Sequence, residues 1–311
     1  MNTFFSISPE SANQSIFKDK PTGISIYLKR EDLLHPTIPG NKFRKLKYNL
    51  SEAKKLGKRK LLTFGGAFSN HISATAAAGK EFGFETIGVI RGEELAKNLN
   101  KTLTENSTLK FAISCGMKLH FLTREEYRHK NSEKILANLT HNFGDFYLLP
   151  EGGTNPLAIK GCEEILTEED KKFDYVCCPA GTGGTLAGLI NSSQPNQKIL
   201  GFSVLNADFL SLETKNFVNK NNWEIIPNYH FGGYGKVTNE LVGFINRFKK
   251  KDGIQLDPIY TGKMMFGIFD LLKKNYFNRN TRILAIHTGG IQGIAGINRI
   301  LERKGSPKIN L

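Results

Sequence analysis

The chain has 311 residues, four of them cysteine, and its 43 Lys and Arg outnumber its 29 Asp and Glu to give a formal charge of +14. That length can bury one large core or two modest ones. The charge favours anionic partners, but the basic residues fall in scattered clusters such as Lys58-Arg59-Lys60 and Lys249-Lys250-Lys251, with no nucleic-acid motif beside them, so no nucleic-acid partner is expected. Cys115, Cys162, Cys177 and Cys178 lack metal-ligand spacing, and no metal is expected. The first twenty residues carry no sustained apolar region, and no stretch reads as a bilayer span. A cytoplasmic protein with no membrane partner is the expectation.

Ile24 to Lys29 alternates like a strand and ends in the charged Arg30-Glu31-Asp32. Pro36, Pro39 and Gly40 constrain the loop that follows, which delivers Asn41-Lys42-Phe43-Arg44-Lys45 to a helix with Leu46, Leu50 and Ala53 at core spacing. Lys42 therefore stands where a loop enters an element. That placement suits a reactive amine, and equally one more basic residue on a helix end. Lys60 to Phe64 is a short strand running into Gly65-Gly66-Ala67-Phe68-Ser69-Asn70-His71 and a small, apolar helix from Ile72 to Gly79. Ser69, Asn70 and His71 thus sit at a positive helix end, where they could hold a carboxylate or an aromatic hydroxyl, or serve as an ordinary N-cap.

Further strands are expected over 85–91, 118–122 and 146–149, with helices through 108–116 and 124–141 between them. Strands alternating with helices imply parallel sheets covered on both faces. Glu151-Gly152-Gly153-Thr154-Asn155-Pro156 breaks the pattern, Asn155 reading as the N-cap of a helix with Pro156 at its first position. The glycines there make a natural crossing between lobes. The expected division is a large domain of 1–46 plus 157–311 and a small domain of 47–156.

Val176 to Ala180 reads as a buried strand, Gly181-Thr182-Gly183-Gly184-Thr185 as a glycine loop, and Leu186 onward as a helix. Tight turning and first-turn N–H groups at a positive helix end make a phosphate cradle, although glycine that only permits close packing would read the same way. The loop lacks the Lys of a nucleotide-triphosphate site and the last glycine of a dinucleotide fingerprint. Lys198 to Leu205 is a strand, Phe231-Gly232-Gly233-Tyr234-Gly235 a flexible loop with one phenol, and Thr238 to Lys250 a helix. Leu256-Asp257-Pro258-Ile259-Tyr260-Thr261-Gly262-Lys263 leads into an apolar helix, and the strand Arg282 to Ile286 ends in His287-Thr288-Gly289-Gly290. Ligands of open parallel sheets sit beyond the carboxyl ends of strands, which is where these loops fall. A phosphorylated aromatic aldehyde could use all of them, with Lys42 binding it covalently.

Gly40-Asn41-Lys42-Phe43-Arg44-Lys45-Leu46 resembles the 1-aminocyclopropane-1-carboxylate deaminase and D-cysteine desulfhydrase family, among the fold-type II pyridoxal-phosphate enzymes. Ser69-Asn70-His71, Gly181 to Thr185, Leu256 to Lys263 and His287 to Gly290 match the same family in the same order. The resemblance implies an α/β fold of two open, twisted, mostly parallel sheets with helices on both faces, a pyridoxal 5'-phosphate cofactor and a homodimer. It implies that Lys42 carries the cofactor and moves a proton at the substrate's α-carbon. Asn70 would bond the ring hydroxyl, Ser69 and His71 would lie near the substrate carboxylate, and Gly181, Thr182, Gly183, Gly184 and Thr185 would hold the phosphate. Tyr234 and Tyr260 would flank the substrate, and Thr288 would face the pyridine nitrogen.

At Thr261 the deaminases of this family carry Glu; Thr there resembles the desulfhydrases. A neutral Thr261 and Thr288 leave the pyridine largely unprotonated, a weaker electron sink that suffices when a β-thiol leaves as the α-proton is removed. The expected reaction is α,β-elimination on a small amino acid, D-cysteine giving pyruvate, ammonia and sulfide, with Thr261 bordering the substrate. Ring opening of 1-aminocyclopropane-1-carboxylate to 2-oxobutyrate is the alternative, and a basic RNA-associated protein retaining the fold a distant one. Cys162, where the family has Tyr, and a short 206–228 segment depart from the pattern.

Overall fold

The computed structural model describes residues 11–205 and 207–311; residues 1–10, over which no leader was expected, and Asn206, the first residue of the short 206–228 segment, lie outside the described residues. The strands are β1 (Asn13–Lys18), β2 (Ser25–Lys29), β3 (Lys60–Gly65), β4 (Glu85–Arg91), β5 (Lys118–Leu122), β6 (Tyr147–Leu149), β7 (Tyr175–Ala180), β8 (Lys198–Ser203), β9 (Trp223–Ile226) and β10 (Arg282–Ile286). The helices are α1 (Asn41–Lys55), α2 (Asn70–Phe82), α3 (Leu99–Glu105), α4 (Ser107–Ser114), α5 (Arg124–Arg128), α6 (Glu133–Phe143), α7 (Pro156–Glu163), α8 (Gly184–Ser192), α9 (Ala207–Lys215), α10 (Asn239–Asp252), α11 (Thr261–Lys273) and α12 (Gly293–Arg303).

Two sheets result. One has the order β1-β2-β10-β7-β8-β9, parallel except for β1, and the other the order β5-β4-β3-β6, parallel throughout. Period-two alternation places helices on both faces of the larger sheet. In β10, Ile283 and Ala285 join one core with Ile26, Phe202, Met264 and Ile294, while Leu284 and Ile286 join the other with Val176, Leu189 and Ile199. Cys177 and Cys178 divide between these two cores in the same way, as small apolar residues.

Helix α1 runs unbroken across residue 46, where the expected domain division falls. Its Phe43, Leu46, Leu50 and Ala53 pack with Leu61, Ala74, Ala78 and Leu149 of the four-stranded side. Its other face is basic and also buried, which requires partners. Arg44 is 1% exposed and pairs with the fully buried Glu31 at 3.0 Å, and Lys47 pairs with Glu164 at 2.8 Å. Nearby, Lys29 and Asp170 form a second buried pair at 2.6 Å. The basic run that opens α1 is therefore an internal charged seam.

Five elements were not anticipated, one of them the polar helix α3, which buries no residue. The edge strand β1 buries one residue, Ile16, and is bulged between Ser15 and Phe17, so it shows no alternation, and β9 is a four-residue edge. Helix α9 begins at Ala207 and has no apolar stripe that the sequence displays, and α12 carries Gly293 and Gly296 on its buried face, which read as loop. Where one helix was expected over 124–141, α5 and α6 are separated by a turn that Ser132 caps.

Candidate active site

The loops after β2, β3, β6, β7 and β10 converge at the carboxyl ends of parallel strands. Gly40 makes the first convergence possible: it has φ 64°, and a Cβ there would lie 2.0 Å from the carbonyl oxygen of Thr288. The start of α1 is thereby set against the loop after β10. Two residues on, Lys42 Nζ donates to the carbonyl of Gly152 at 3.1 Å. Lys45 Nζ donates to the same carbonyl at 2.9 Å and to Thr154 Oγ1 at 3.0 Å. Burial, then the neighbouring Lys45 charge, holds the Lys42 amine well below its ordinary range. An amine so placed is partly neutral and nucleophilic.

The glycine loop lies beside these amines. Gly183 has φ 77° and precedes α8, whose first-turn N–H groups lack intrahelical partners. Asn41 Nδ2 donates to Thr185 Oγ1 at 2.8 Å, Thr154 Oγ1 and Thr182 Oγ1 are 2.7 Å apart, and a Cβ at Gly184 would lie 3.2 Å from Lys45 Nζ. The loop is therefore a cationic anion cradle joined to Lys42 through Gly152, Lys45 and Thr154. Lys45 and Thr154 were missed by sequence reasoning: Lys45 stands in a run of basic residues, and nothing local marks it as turned inward. Cys162 packs beneath the cradle with Sγ 3.9 Å from Thr185 Oγ1, and burial pushes its thiol up to about 11, so it is neutral.

Ser69 caps α2, its Oγ accepting from Ile72 N–H at 3.3 Å, which leaves its own proton free to donate. The following Asn70 has a buried Oδ1 with no hydrogen-bond partner, and its Nδ2 lies against Gly290 in the loop after β10. His71 is 1% exposed, neither ring nitrogen has a partner, and its ring packs on Gly153. Burial, Lys42 and Lys45 push its pKa well below the imidazole range, so it brings no positive charge to a carboxylate. Unpaired buried polar atoms of this kind call for a ligand or water.

Thr261, expected to border the substrate, is fully buried; it donates its hydroxyl to Asp257 Oδ2 at 2.7 Å and accepts from Asp257 N–H at 3.0 Å. Asp257 also accepts from the N–H groups of Ile259, Tyr260 and Thr261, so the Leu256 to Lys263 motif is in the first place a helix cap for α11. Thr261 acts on the site through Asp257, which lies against Gly290 beside Asn70. Thr288 is 8% exposed in the same loop, after His287, whose Nε2–H donates to Gln255 carbonyl at 2.9 Å while Nδ1 accepts from Gly289 N–H.

Tyr234 and Tyr260 meet edge to face with ring centroids 6.1 Å apart, and the Tyr260 ring edge lies 3.3 Å from where a Cβ at Gly181 would stand. Tyr260 therefore joins the cradle to the loop of Tyr234. Burial, then Tyr234, raises the Tyr260 phenol well above its usual range, and burial raises the Tyr234 phenol as well, less strongly. Tyr234 is therefore the phenol of the pair that yields a proton more readily. Tyr234 sits in a loop of four positive-φ residues, Phe231, Gly232, Gly233 and Gly235. The buried Lys263 clamps that loop, donating to the carbonyls of His230 and Gly233 at 2.9 Å each.

An amine at a helix entrance, an anion cradle and a phenol pair on a two-sheet parallel scaffold define a pyridoxal-phosphate enzyme of fold-type II. The family described as pyridoxal-phosphate dependent enzyme matches residues 13–289, and the chain belongs to it. It is 33% identical over 87% of its length to a Pyrococcus horikoshii protein, covering 86% of that protein, which is named provisionally as a 1-aminocyclopropane-1-carboxylate deaminase. It is 29% identical over 88% of its length to the Arabidopsis thaliana mitochondrial bifunctional D-cysteine desulfhydrase/1-aminocyclopropane-1-carboxylate deaminase, covering 74% of it. The crystal structure of an ACC deaminase homologue superposes with a TM-score of 0.78 at 30% identity, over 97% of this chain and 99% of that one. The protein is thus a pyridoxal-phosphate-dependent enzyme of the deaminase and desulfhydrase type. Among the described residues, no helix is long and apolar enough to cross a membrane.

Proposed function

We propose that the enzyme catalyses α,β-elimination on D-cysteine, giving pyruvate, ammonia and sulfide. The single observation that carries this reading is the Tyr234–Tyr260 contact, which sets a polarised phenol pair between the cradle and a loop at the site's mouth. Elimination needs a base at the α-carbon and an acid for the departing sulfur. Lys42 is the base, its amine lowered by burial and Lys45; Tyr234 is the acid, with the Tyr260 ring packed against it.

Pyridoxal phosphate, when bound, supplies the electron sink. Lys42 would bond its aldehyde, and Gly181 to Thr185 with Lys45 would hold its phosphate. Asn70, with its unsatisfied Oδ1, would meet the ring hydroxyl and Thr288 the pyridine nitrogen. Ser69 keeps a free hydroxyl proton for the substrate carboxylate, while the neutral His71 adds shape without charge. The domain division near residues 46 and 156, a homodimer and a cytoplasmic location belong to the same reading. The deaminase names among the relatives supply the other outcome. Purified holoenzyme is assayed with D-cysteine and with 1-aminocyclopropane-1-carboxylate; faster pyruvate release from the first supports the proposal, and faster 2-oxobutyrate release from the second overturns it.

A further inference from the structure

The carbonyl of Gly152, on which Lys42 and Lys45 converge, belongs to a tight turn after β6. Gly152 has φ 69°, and a Cβ there would lie 2.9 Å from Thr182 Cγ2; Gly153 has φ 68°, and a Cβ there would lie 2.7 Å from the His71 ring. The turn is thus packed between the cradle loop and the start of α2. Glu151, beside these glycines, makes contacts of another kind. Its Oε1 accepts from the Tyr127 hydroxyl at 2.9 Å, and its Oε2 pairs with Lys130 Nζ at 3.1 Å. Tyr127 is a buried residue of α5 whose ring meets Phe64 edge to face, with centroids 6.1 Å apart. Burial, then the Glu151 charge, holds its phenol well above the usual range, so it remains a donor to the carboxylate.

We infer that Tyr127, acting through Glu151, is a positioning residue of the active site, fixing the Gly152 carbonyl at the point where Lys42 and Lys45 meet it.

Among the described residues, neither Tyr127 nor Glu151 hydrogen-bonds to either amine, so the effect passes through the backbone. Two successive glycines have the widest backbone freedom of any pair, and a carbonyl between them is aimed only if the turn is anchored beside it. Thr63 Oγ1 holds the Leu149 carbonyl at 3.0 Å, and Gly153 N–H closes the turn on the Pro150 carbonyl at 2.8 Å. Glu151 supplies the remaining hold, at the residue next to Gly152, and ties it to α5. The consequence has a sign. A charged amine gains more from a well-aimed carbonyl than a neutral one, so slackening the turn removes an acceptor from charged Lys42 and lowers its pKa further. Lys45, which shares that carbonyl, shifts in the cradle at the same time. The inference rests on the reading that Lys42 binds the cofactor aldehyde and Lys45 its phosphate.

The test uses three single variants and one double. Tyr127→Phe keeps the ring on Phe64 and removes the hydroxyl, Glu151→Ala removes the acceptor, and Glu151→Gln keeps an acceptor for that hydroxyl. Each apoprotein is titrated with pyridoxal phosphate by absorbance at several pH values, its Tm is recorded, and the lysine modified is mapped after borohydride reduction. Tyr127→Phe and Glu151→Ala should each lower the pH midpoint for covalent capture by about half a unit and raise the cofactor Kd about fivefold. The double variant should be no worse than the more affected single, because both cut one link. Glu151→Gln should restore most of the affinity and of the midpoint. A lower Tm in Tyr127→Phe and Glu151→Ala with midpoint and Kd unmoved, or losses that add in the double variant, overturns the inference. Unmoved variants with the wild-type adduct on Lys42 sink this inference alone, whereas a wild-type adduct on another lysine overturns the reading of Lys42 and this inference with it.

Discussion

Lys42 and Lys45, one helical turn apart, donate to the same acceptor, the carbonyl oxygen of Gly152, at 3.1 and 2.9 Å. Two amines on one oxygen repel each other when both are charged. Like charge disfavours the charged form, so Lys45 lowers the Lys42 pKa and must itself be held by Thr154 and by whatever anion the cradle takes. The arrangement ties activation of the amine to occupation of the cradle.

Replacing Lys45 with Met should therefore act twice. The pH midpoint for covalent capture of pyridoxal phosphate by Lys42 should move up, because the repulsion is gone, and the apparent Kd for the cofactor should rise at least tenfold. Absorbance titration of the apoprotein at several pH values measures both, and Lys45→Arg should restore most of the affinity. An unchanged Kd in Lys45→Met would remove Lys45 from the cradle.

Lys263 should give the enzyme a pH-dependent grip on Tyr234. Burial lowers its pKa to about 8, against an ordinary 10.5, so its two bonds to the loop carbonyls lose their positive charge as pH rises through about 8. KM should climb above that pH with kcat less affected, whereas Lys263→Met should show a high, pH-independent KM across the same window. For stability the sign is opposite. The unfolded chain binds the proton up to 10.5 and the folded one only to about 8, so the Lys263 contribution to stability rises with pH between those values.

Thr261 serves Asp257. Thr261→Val removes a donor to a buried carboxylate and the acceptor for Asp257 N–H, and should cost about 1–3 kcal/mol, seen as a lower Tm. Thr261→Ser should restore it. If Thr261→Val keeps full stability while losing substrate affinity, the residue touches substrate after all.

The buried seam of α1 should be expensive to break. Glu31→Gln strips Arg44 of a carboxylate at 3.0 Å in a site with no solvent, and a loss of about 3–5 kcal/mol is expected in urea denaturation. A loss below about 1 kcal/mol would mean that water or Glu164 takes over the charge.

Much of this was legible in the sequence where a residue's local pattern and its tertiary role agree. The strands that alternate or are apolar throughout, β2, β3, β4, β7, β8 and β10, announce themselves, and Asn155-Pro156 announces α7, with Asn155 Oδ1 accepting from Ala158 N–H at 2.8 Å. The glycine loop and Lys42 are visible as strand and helix boundaries. What fails to show is anything whose meaning comes from across the fold. Lys45 looks like any other residue of a basic run until Gly152 and Thr154, more than a hundred residues away, turn it inward. Lys263 reads as one residue of a motif, and only the path of the Tyr234 loop makes it a clamp. Thr261 has a second role of the same kind: its position suggests chemistry, and its bond to Asp257 gives it a structural part that its place in the motif does not display.

The central claim is that Lys42 carries the cofactor, and borohydride reduction of the holoenzyme followed by peptide mass mapping tests it most directly. The account predicts a reduced pyridoxal-phosphate adduct on Lys42, with Lys42→Ala colourless, folded and inactive. An adduct on Lys45 or another lysine, or a yellow and active Lys42→Ala protein, would contradict it.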